Sequence, residues 1–395
     1  MQCFFWFRFD KSNGFNLLKI IVLINQLPNQ IISKKMKRKK IFGLSSLLLI
    51  AMSFTQCTKS QEEVAVTKSG SGDVAVVKTD ANATKIFPGQ VWNDIYGKAI
   101  VATGGGIYYE NGFYHWYGEA KKAGSSPGKG GIDAGMHCYR SRDLINWNDF
   151  GVVLPLSSDP NSDIADGCIF QRPKVVKNNS TGKYVAFFKL YLKGEGYTRT
   201  FLGIATATSP TGPFTYVKKV LATSNKGSGD FTMFKDTNGD LYHIAVRRSD
   251  RKLVKAKMSS DYMTPGTYSE MTGVQTNTEG PAIFYKSGVY HLLGSGSNGW
   301  DSTAPRYFTS SSLGGPWTSQ SNPCTGTNPI NGVGSDLTWG GQSTFIFPIE
   351  GHENQYVAMF DIWVPERRYI WLPFRVDNQK MHIAWQNSWD LTWYP

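Results

Sequence analysis

The chain has 395 residues with a formal net charge of +12, and it holds 23 Phe, 19 Tyr, 12 Trp and 41 Gly. That balance suits a glycine-punctuated all-β protein with a large core and excludes a coiled coil or a disordered chain. Nucleic acid is excluded as a partner too: residues 1–57 carry nine Lys/Arg and one Asp, which is +8 of the total. The remaining +4 forms no basic run or aromatic-basic stripe.

Residues 1–35 resemble neither a domain nor a secretion signal and are expected to be an upstream extension, with translation starting at Met36. From there Lys37-Arg38-Lys39-Lys40 is a basic n-region and Ile41 to Met52 an apolar stretch too short for a stable membrane span. It runs into Ser53-Phe54-Thr55-Gln56-Cys57, which resembles a bacterial lipobox apart from Gln56. Residues 36–57 are therefore expected to be a signal peptide with lipidation at Cys57. Residues 58–87, rich in Ser, Thr, Lys, Glu, Val and Gly, are expected to form a flexible linker. The expected product is an exported, periplasmic or cell-surface bacterial lipoprotein, monomeric and touching the membrane only through its lipid. Of the remaining cysteines, Cys138, Cys168 and Cys324 show no metal-ligand spacing and are expected to be buried free thiols.

From residue 88 to 395 one outline recurs five times: a polar loop, an apolar strand, a tight turn and an aromatic return strand. The starts are Gly104-Gly105-Gly106-Ile107, Gln171-Arg172-Pro173-Lys174, Asp230-Phe231-Thr232-Met233, Glu279-Gly280-Pro281-Ala282 and Gln342-Ser343-Thr344-Phe345. A second pair of strand signals follows each, so every unit supplies four strands, the content of a propeller blade. The expectation is an all-β, five-bladed β-propeller in a single domain after an N-terminal leader.

In a propeller the innermost strands line a central channel, and equivalent positions converge on the axis. Thr103, Gln171, Asp230, Glu279 and Gln342 occupy that position, four of them carboxylate or carboxamide. Trp116, Tyr117, Tyr197, Trp300, Trp339, Trp363 and Trp371 are expected around them. Flat rings beside such polar groups suit a sugar, the rings stacking on C–H faces while the polar groups bind hydroxyls. Glu119 and Asn298 join Gln171 in this expected binding set, whereas Trp147, Trp317 and Trp385 on outer strands are expected to be core. The triple glycine lacks the Lys-Ser/Thr of a phosphate loop, so Gly105 is expected to let a ligand approach the backbone. Asp236-Thr237-Asn238-Gly239-Asp240 lacks the distal Glu of a calcium loop and reads as a hairpin turn. The histidines show no ligand spacing, and no metal or cofactor is expected.

These residues, in order, give the domain a resemblance to glycoside hydrolase family 43, most closely its exo-β-1,3-galactanase subfamily. The motifs carrying it are Gly104-Gly105-Gly106-Ile107, Trp116-Tyr117-Gly118-Glu119, Arg172-Pro173-Lys174-Val175, Asp230-Phe231-Thr232-Met233-Phe234, Glu279-Gly280-Pro281-Ala282, Gly299-Trp300 and Gln342-Ser343-Thr344-Phe345. The resemblance implies a five-bladed propeller and inverting hydrolysis that releases terminal galactose from β-1,3-galactan or arabinogalactan-type glycans. It implies Glu279 as general acid, kept protonated by a hydrophobic rim and the neighbouring Asp230 charge. Gln342 matches a glutamine thought to serve as base in its imidic form, but Gln171 stands where the subfamily has Glu, and Thr103 where it has His. Two other readings follow: a glycan-binding propeller with impaired turnover, or a family 43 enzyme acting on arabinofuranose, galactofuranose or xylose.

Overall fold

In the repeated hairpins, Asn111-Gly112 and Ser287-Gly288 turn with φ of 52°, 80°, 48° and 86°, the left-handed pair that matches the twist of antiparallel strands. The computed structural model describes residues 83–125, 131–363 and 367–393, together with the backbone of Val64–Lys68 and Val74–Lys78. Those two short strands pair with each other inside the stretch expected to be a linker. The leader, with Cys57, lies outside the described residues.

Five sheets follow in chain order. Blade one is Thr103–Glu110, Phe113–Lys121, Asp133–Ser141 and Asn148–Pro155. Blade two is Ile169–Lys177, Tyr184–Tyr191, Phe201–Ala207 and Thr215–Val220. Blade three is Ser228–Lys235, Leu241–Arg247, Lys252–Lys257 and Ser269–Glu270. Blade four is Glu279–Lys286, Val289–Ser295, Pro305–Ser310 and Thr318–Gln320. Blade five is Gln342–Pro348, Tyr356–Ile362, Arg368–Asp377 and Lys380–Ala384, with Cys324–Thr325 added in parallel on its outer edge. The first strand of each blade packs on the first strand of the next, and the fifth returns to the first, so the sheets form a closed ring. This is the five-bladed propeller that the repeats imply. Ile86 and Trp389 exchange backbone hydrogen bonds of 2.7 and 3.0 Å across the closing seam.

The core lies between blades rather than within them. Phe170 and Phe188 meet Tyr117 and Met136 between blades one and two, and Phe231 meets Phe187 between two and three. Ile283 meets Phe234 between three and four, and Leu293 meets Ile346 between four and five. Because each sheet is covered on both faces, its second strand reads as a nearly unbroken apolar run, as in Tyr184–Tyr191, where every residue is buried. Cys138, Cys168 and Cys324 are buried free thiols, as expected.

The seam between blades five and one is aromatic. Trp116 is fully buried and meets Trp371, Tyr369 and Trp147 edge-on, at ring-centroid distances of 4.6, 4.7 and 5.3 Å. Replacing it by Ala is expected to lower stability by about 3–5 kcal/mol, through lost burial plus an unfilled cavity. Equilibrium urea unfolding of Trp116→Ala measures this; a cost below about 1 kcal/mol would show that the seam does not hold the ring closed.

Candidate active site

Each inner strand breaks its ladder near the same end of the channel. The register slips between Thr103 and Gly106, Gln171 and Lys174, Ser228 and Phe231, Glu279 and Ala282, and Ser343 and Phe345. Such bulges bend a strand and re-aim its side chains, and here the bend turns them into the axial cavity. The ladder also corrects one alignment. Ser228, not Asp230, pairs in the phase of Gln171 and Glu279; Asp230 lies inside the bulge, two residues on.

The cavity is about 260 Å³ and is lined by Gln171, Arg172, Lys189, Tyr191, Tyr197, Asp230, Glu279, Gly299, Trp300, Gln342, Trp363 and Glu119. Four of the five expected axial residues therefore meet. Thr103 does not line it; Glu119, paired opposite Thr103 on the second strand of blade one, reaches the cavity instead. Trp300 and Trp363 form an aromatic corner, 5.9 Å between centroids, and Tyr197 stands edge-on to Tyr191 at 4.9 Å.

Other expected binding residues are elsewhere. Trp116 and Trp371 belong to the seam between blades five and one, Tyr117 packs between blades one and two, and Trp339 packs beside Phe360. All four are fully buried: the second and third strands send Trp116, Tyr117 and Trp371 sideways against the next blade, and Trp339 is carried by the short 3-10 segment Ser335–Gly340 ahead of blade five. Asn298 is exposed and does not line the cavity. Trp147 and Trp317 are core, and Trp385 packs partly buried against it, as expected. Gly105 serves packing rather than ligand approach: a Cβ there would fall 1.9 Å from the Tyr117 carbonyl oxygen.

Asp230 is the electrostatic centre. Its carboxylate meets Arg172 at 2.8 Å and Lys189 at 3.0 Å and accepts the Gly280 N–H at 3.2 Å. Burial pushes this carboxyl up, but Arg172 and Lys189 more than offset it and hold it well below the ordinary range. Gly280 has φ of 58°, and a Cβ on it would meet the Ser343 carbonyl at 2.5 Å, so only glycine fits where it donates to Asp230. Asp230 does not face Glu279 as a lone charge. Asp230 is matched by two cations of its own, and Glu279 is paired with Arg251.

Glu119 is buried, accepts the Arg172 backbone N–H at 3.3 Å, and lies 3.3 and 3.1 Å from Lys121 and Arg367. Burial raises its carboxyl, yet Lys121 and Arg367 bring it below its ordinary value. Gln342 donates from Nε2 to Ser295 Oγ at 2.9 Å, while its Oε1 accepts from Trp363 Nε1 at 3.2 Å and from the Arg172 guanidinium.

Sequence reasoning named Arg172 only as part of a motif and missed Lys189. Lys189 pairs opposite Gln171 and is a lone charge in the apolar run Tyr-Val-Ala-Phe-Phe-Lys-Leu-Tyr, which is the signal that could have found it. Asp361, opposite Gln342, is likewise a buried charge in an apolar strand.

The comparisons with known proteins now bear on this site. The model of glycosyl hydrolases family 43 matches residues 100–342. The chain belongs to that family. It is a glycoside hydrolase with an exo-β-1,3-galactanase-like propeller. A family 43 β-1,3-galactosidase solved with galactodeoxynojirimycin is 33% identical with a TM-score of 0.70, over 78% of this chain and all 100% of that one. The exo-β-1,3-galactanase of Phanerochaete chrysosporium, solved with galactose, is 26% identical with a TM-score of 0.67, over 78% of this chain and 68% of its own. The exo-β-1,3-galactanase of Clostridium thermocellum is 27% identical with a TM-score of 0.65, over 77% and 66%. No curated protein sequence matches.

Beneath the cavity of this family 43 enzyme, Gly104 is held from both sides. Its N–H donates to Asp361 Oδ2 at 2.5 Å and its carbonyl accepts from Lys174 Nζ at 2.7 Å. Burial drives the Lys174 ammonium down to about 7 and the Asp361 carboxyl up from 3.8 to about 7. A carboxyl whose folded value is raised adds stability below its unfolded value, and loses it as pH climbs through the folded value. Asp361→Asn should remove that loss, so its melting temperature should rise relative to wild type between about pH 4 and about pH 8. Thermal unfolding of both proteins across that range decides it; parallel curves would mean Asp361 does not titrate there.

Proposed function

We propose that this enzyme removes terminal galactose, with inversion, from β-1,3-galactan and arabinogalactan-type glycans, with Glu279 as the general acid. The observation that carries the reading is the small axial cavity in which Glu279 and Asp230 stand with an aromatic corner, Trp300 and Trp363. A space of about 260 Å³ suits a single sugar ring, which favours attack at a chain end over attack within a chain. A second cavity of about 420 Å³ shares Trp300 with the first and gives the rest of the glycan room to leave. Relatives solved with galactose and with galactodeoxynojirimycin favour galactose as the ring in the first.

Inversion needs a carboxylic acid to protonate the leaving oxygen and a group that activates water on the opposite face. On the water side the cavity offers the carboxamides of Gln342 and Gln171. Both donors on Gln342 Oε1 fit its amide form, since the imidic form would add a hydroxyl hydrogen at that same oxygen. Gln342 in this state orients a water rather than taking its proton.

Glu279→Gln is expected to lower kcat/KM by about 10²–10⁴-fold on β-1,3-galactooligosaccharides, followed by chromatographic sugar release. Gln171→Glu, which restores a charge beside Arg172, is expected to raise the rate. Release of arabinose or xylose in place of galactose would overturn the substrate, and binding with no release by any variant would favour a glycan-binding propeller, the reading that Gln171 supports.

We also propose that the enzyme acts outside the cytoplasm, held to a bacterial membrane through lipid on Cys57. Radiolabelled palmitate should enter the wild-type protein and not Cys57→Ser; equal labelling of both would rule out the anchor.

A further inference from the structure

Glu279 does not stand alone at the cavity mouth. Arg251 occupies the turn between the second and third strands of blade three, with φ of 64° and its N–H on the Arg247 carbonyl at 2.8 Å. It is tied to Asn277, two residues before Glu279, in both directions. The Arg251 carbonyl accepts the Asn277 N–H at 2.9 Å, and Arg251 Nε donates to Asn277 Oδ1 at 2.9 Å. This reciprocal clamp aims the guanidinium, whose terminal nitrogen meets Glu279 Oε1 at 2.5 Å and Ser297 Oγ at 2.7 Å.

Other charges face Glu279 as well. Arg306, on the third strand of blade four, is spent on the Thr276 carbonyl at 2.9 Å and Thr278 Oγ1 at 3.1 Å. Asp230 is balanced by Arg172 and Lys189, and Glu119 by Lys121 and Arg367. Of these groups, Arg251 is the one hydrogen-bonded to the Glu279 carboxylate among the described residues. A guanidinium at that distance favours the anion, whereas an acid catalyst must hold a proton before it can deliver one.

We propose that Arg251 is a positioning residue that latches Glu279 as a carboxylate in the empty enzyme and yields it when a saccharide enters. The inference rests on the reading of Glu279 as general acid. With the latch open, Glu279 takes a proton from solvent and passes it to the glycosidic oxygen. The bond from that oxygen to the anomeric carbon breaks, its electron pair staying on oxygen, while water adds to the carbon and gives a proton back to solvent. The Glu279 carboxylate left behind pairs with Arg251 again. Arg251 is only partly buried, with 36% of its side chain exposed, so its replacement spares the fold.

The test measures kcat/KM against pH for wild type, Arg251→Gln and Arg251→Lys on two substrates. One is β-1,3-galactobiose, whose leaving sugar needs a proton; the other is 2,4-dinitrophenyl β-galactoside, whose leaving group does not. With the disaccharide, Arg251→Gln should move the falling alkaline limb upward by about one pH unit, and Arg251→Lys should keep it near wild type. With the dinitrophenyl substrate that displacement should vanish. Superimposed limbs for Arg251→Gln and wild type, or equal displacement on both substrates, would overturn the latch. Wild type that turns over neither substrate would instead remove the galactosidase reading beneath it.

Discussion

The structure depends on how one buried carboxylate, Asp230, is neutralised. It comes from the bulge of blade three and is held by Arg172 and Lys189 of blade two and the Gly280 N–H of blade four. Arg172 carries the network onward, to Gln342 of blade five through its guanidinium and to Glu119 of blade one through its N–H. All five blades therefore meet in one hydrogen-bonded set at the axis. In so buried a place, losing either partner of a charge pair leaves the other unpaired, which is far more costly than the pair is stabilising. The apolar interfaces bring the blades together; the charge set decides which side chains can stand at the mouth and how they are turned.

That division explains what could be read from the sequence. The ring was legible because five hairpins repeat one outline, and because Asn111-Gly112 and Ser287-Gly288 mark turns with a definite geometry. Gln171, Glu279 and Gln342 were legible because repeat phase carries them to one axis. The tryptophans were not. Trp116 and Trp300 look alike as residues, yet one, on a second strand, fills the seam between blades and the other, in the loop between the second and third strands of blade four, faces the cavity. Bulges also escape a pattern of letters: they put Asp230 two residues out of phase while still delivering it to the centre.

The second strands were the larger omission. Glu119, Lys189 and Asp361 pair directly opposite Thr103, Gln171 and Gln342. The site is thus two strands deep, with Glu119 and Lys189 of second strands lining the cavity beside Gln171, Asp230, Glu279 and Gln342 of first strands. Its physical mark is a single ionisable residue inside an otherwise apolar run, which a buried strand tolerates only when a partner waits for it.

Charge balance also frames the position of Gln171. Around the cavity stand Arg172 and Lys189, with Lys121, Arg251 and Arg367 behind them, against the carboxylates of Asp230, Glu119 and Glu279. Glycoside hydrolysis passes through an oxocarbenium-like state, so positive charge develops at the sugar ring. A neutral amide at position 171 supplies no charge to meet it, and Asp230 cannot compensate because its oxygens are already shared between Arg172, Lys189 and the Gly280 N–H. Glu119 is matched in the same way by Lys121 and Arg367, whereas Glu279 is paired with Arg251. Under the proposed latch, Glu279 faces the ring only when Arg251 has moved aside. On that proposal one arginine governs both the resting pairing of Glu279 and the room left for the transition state.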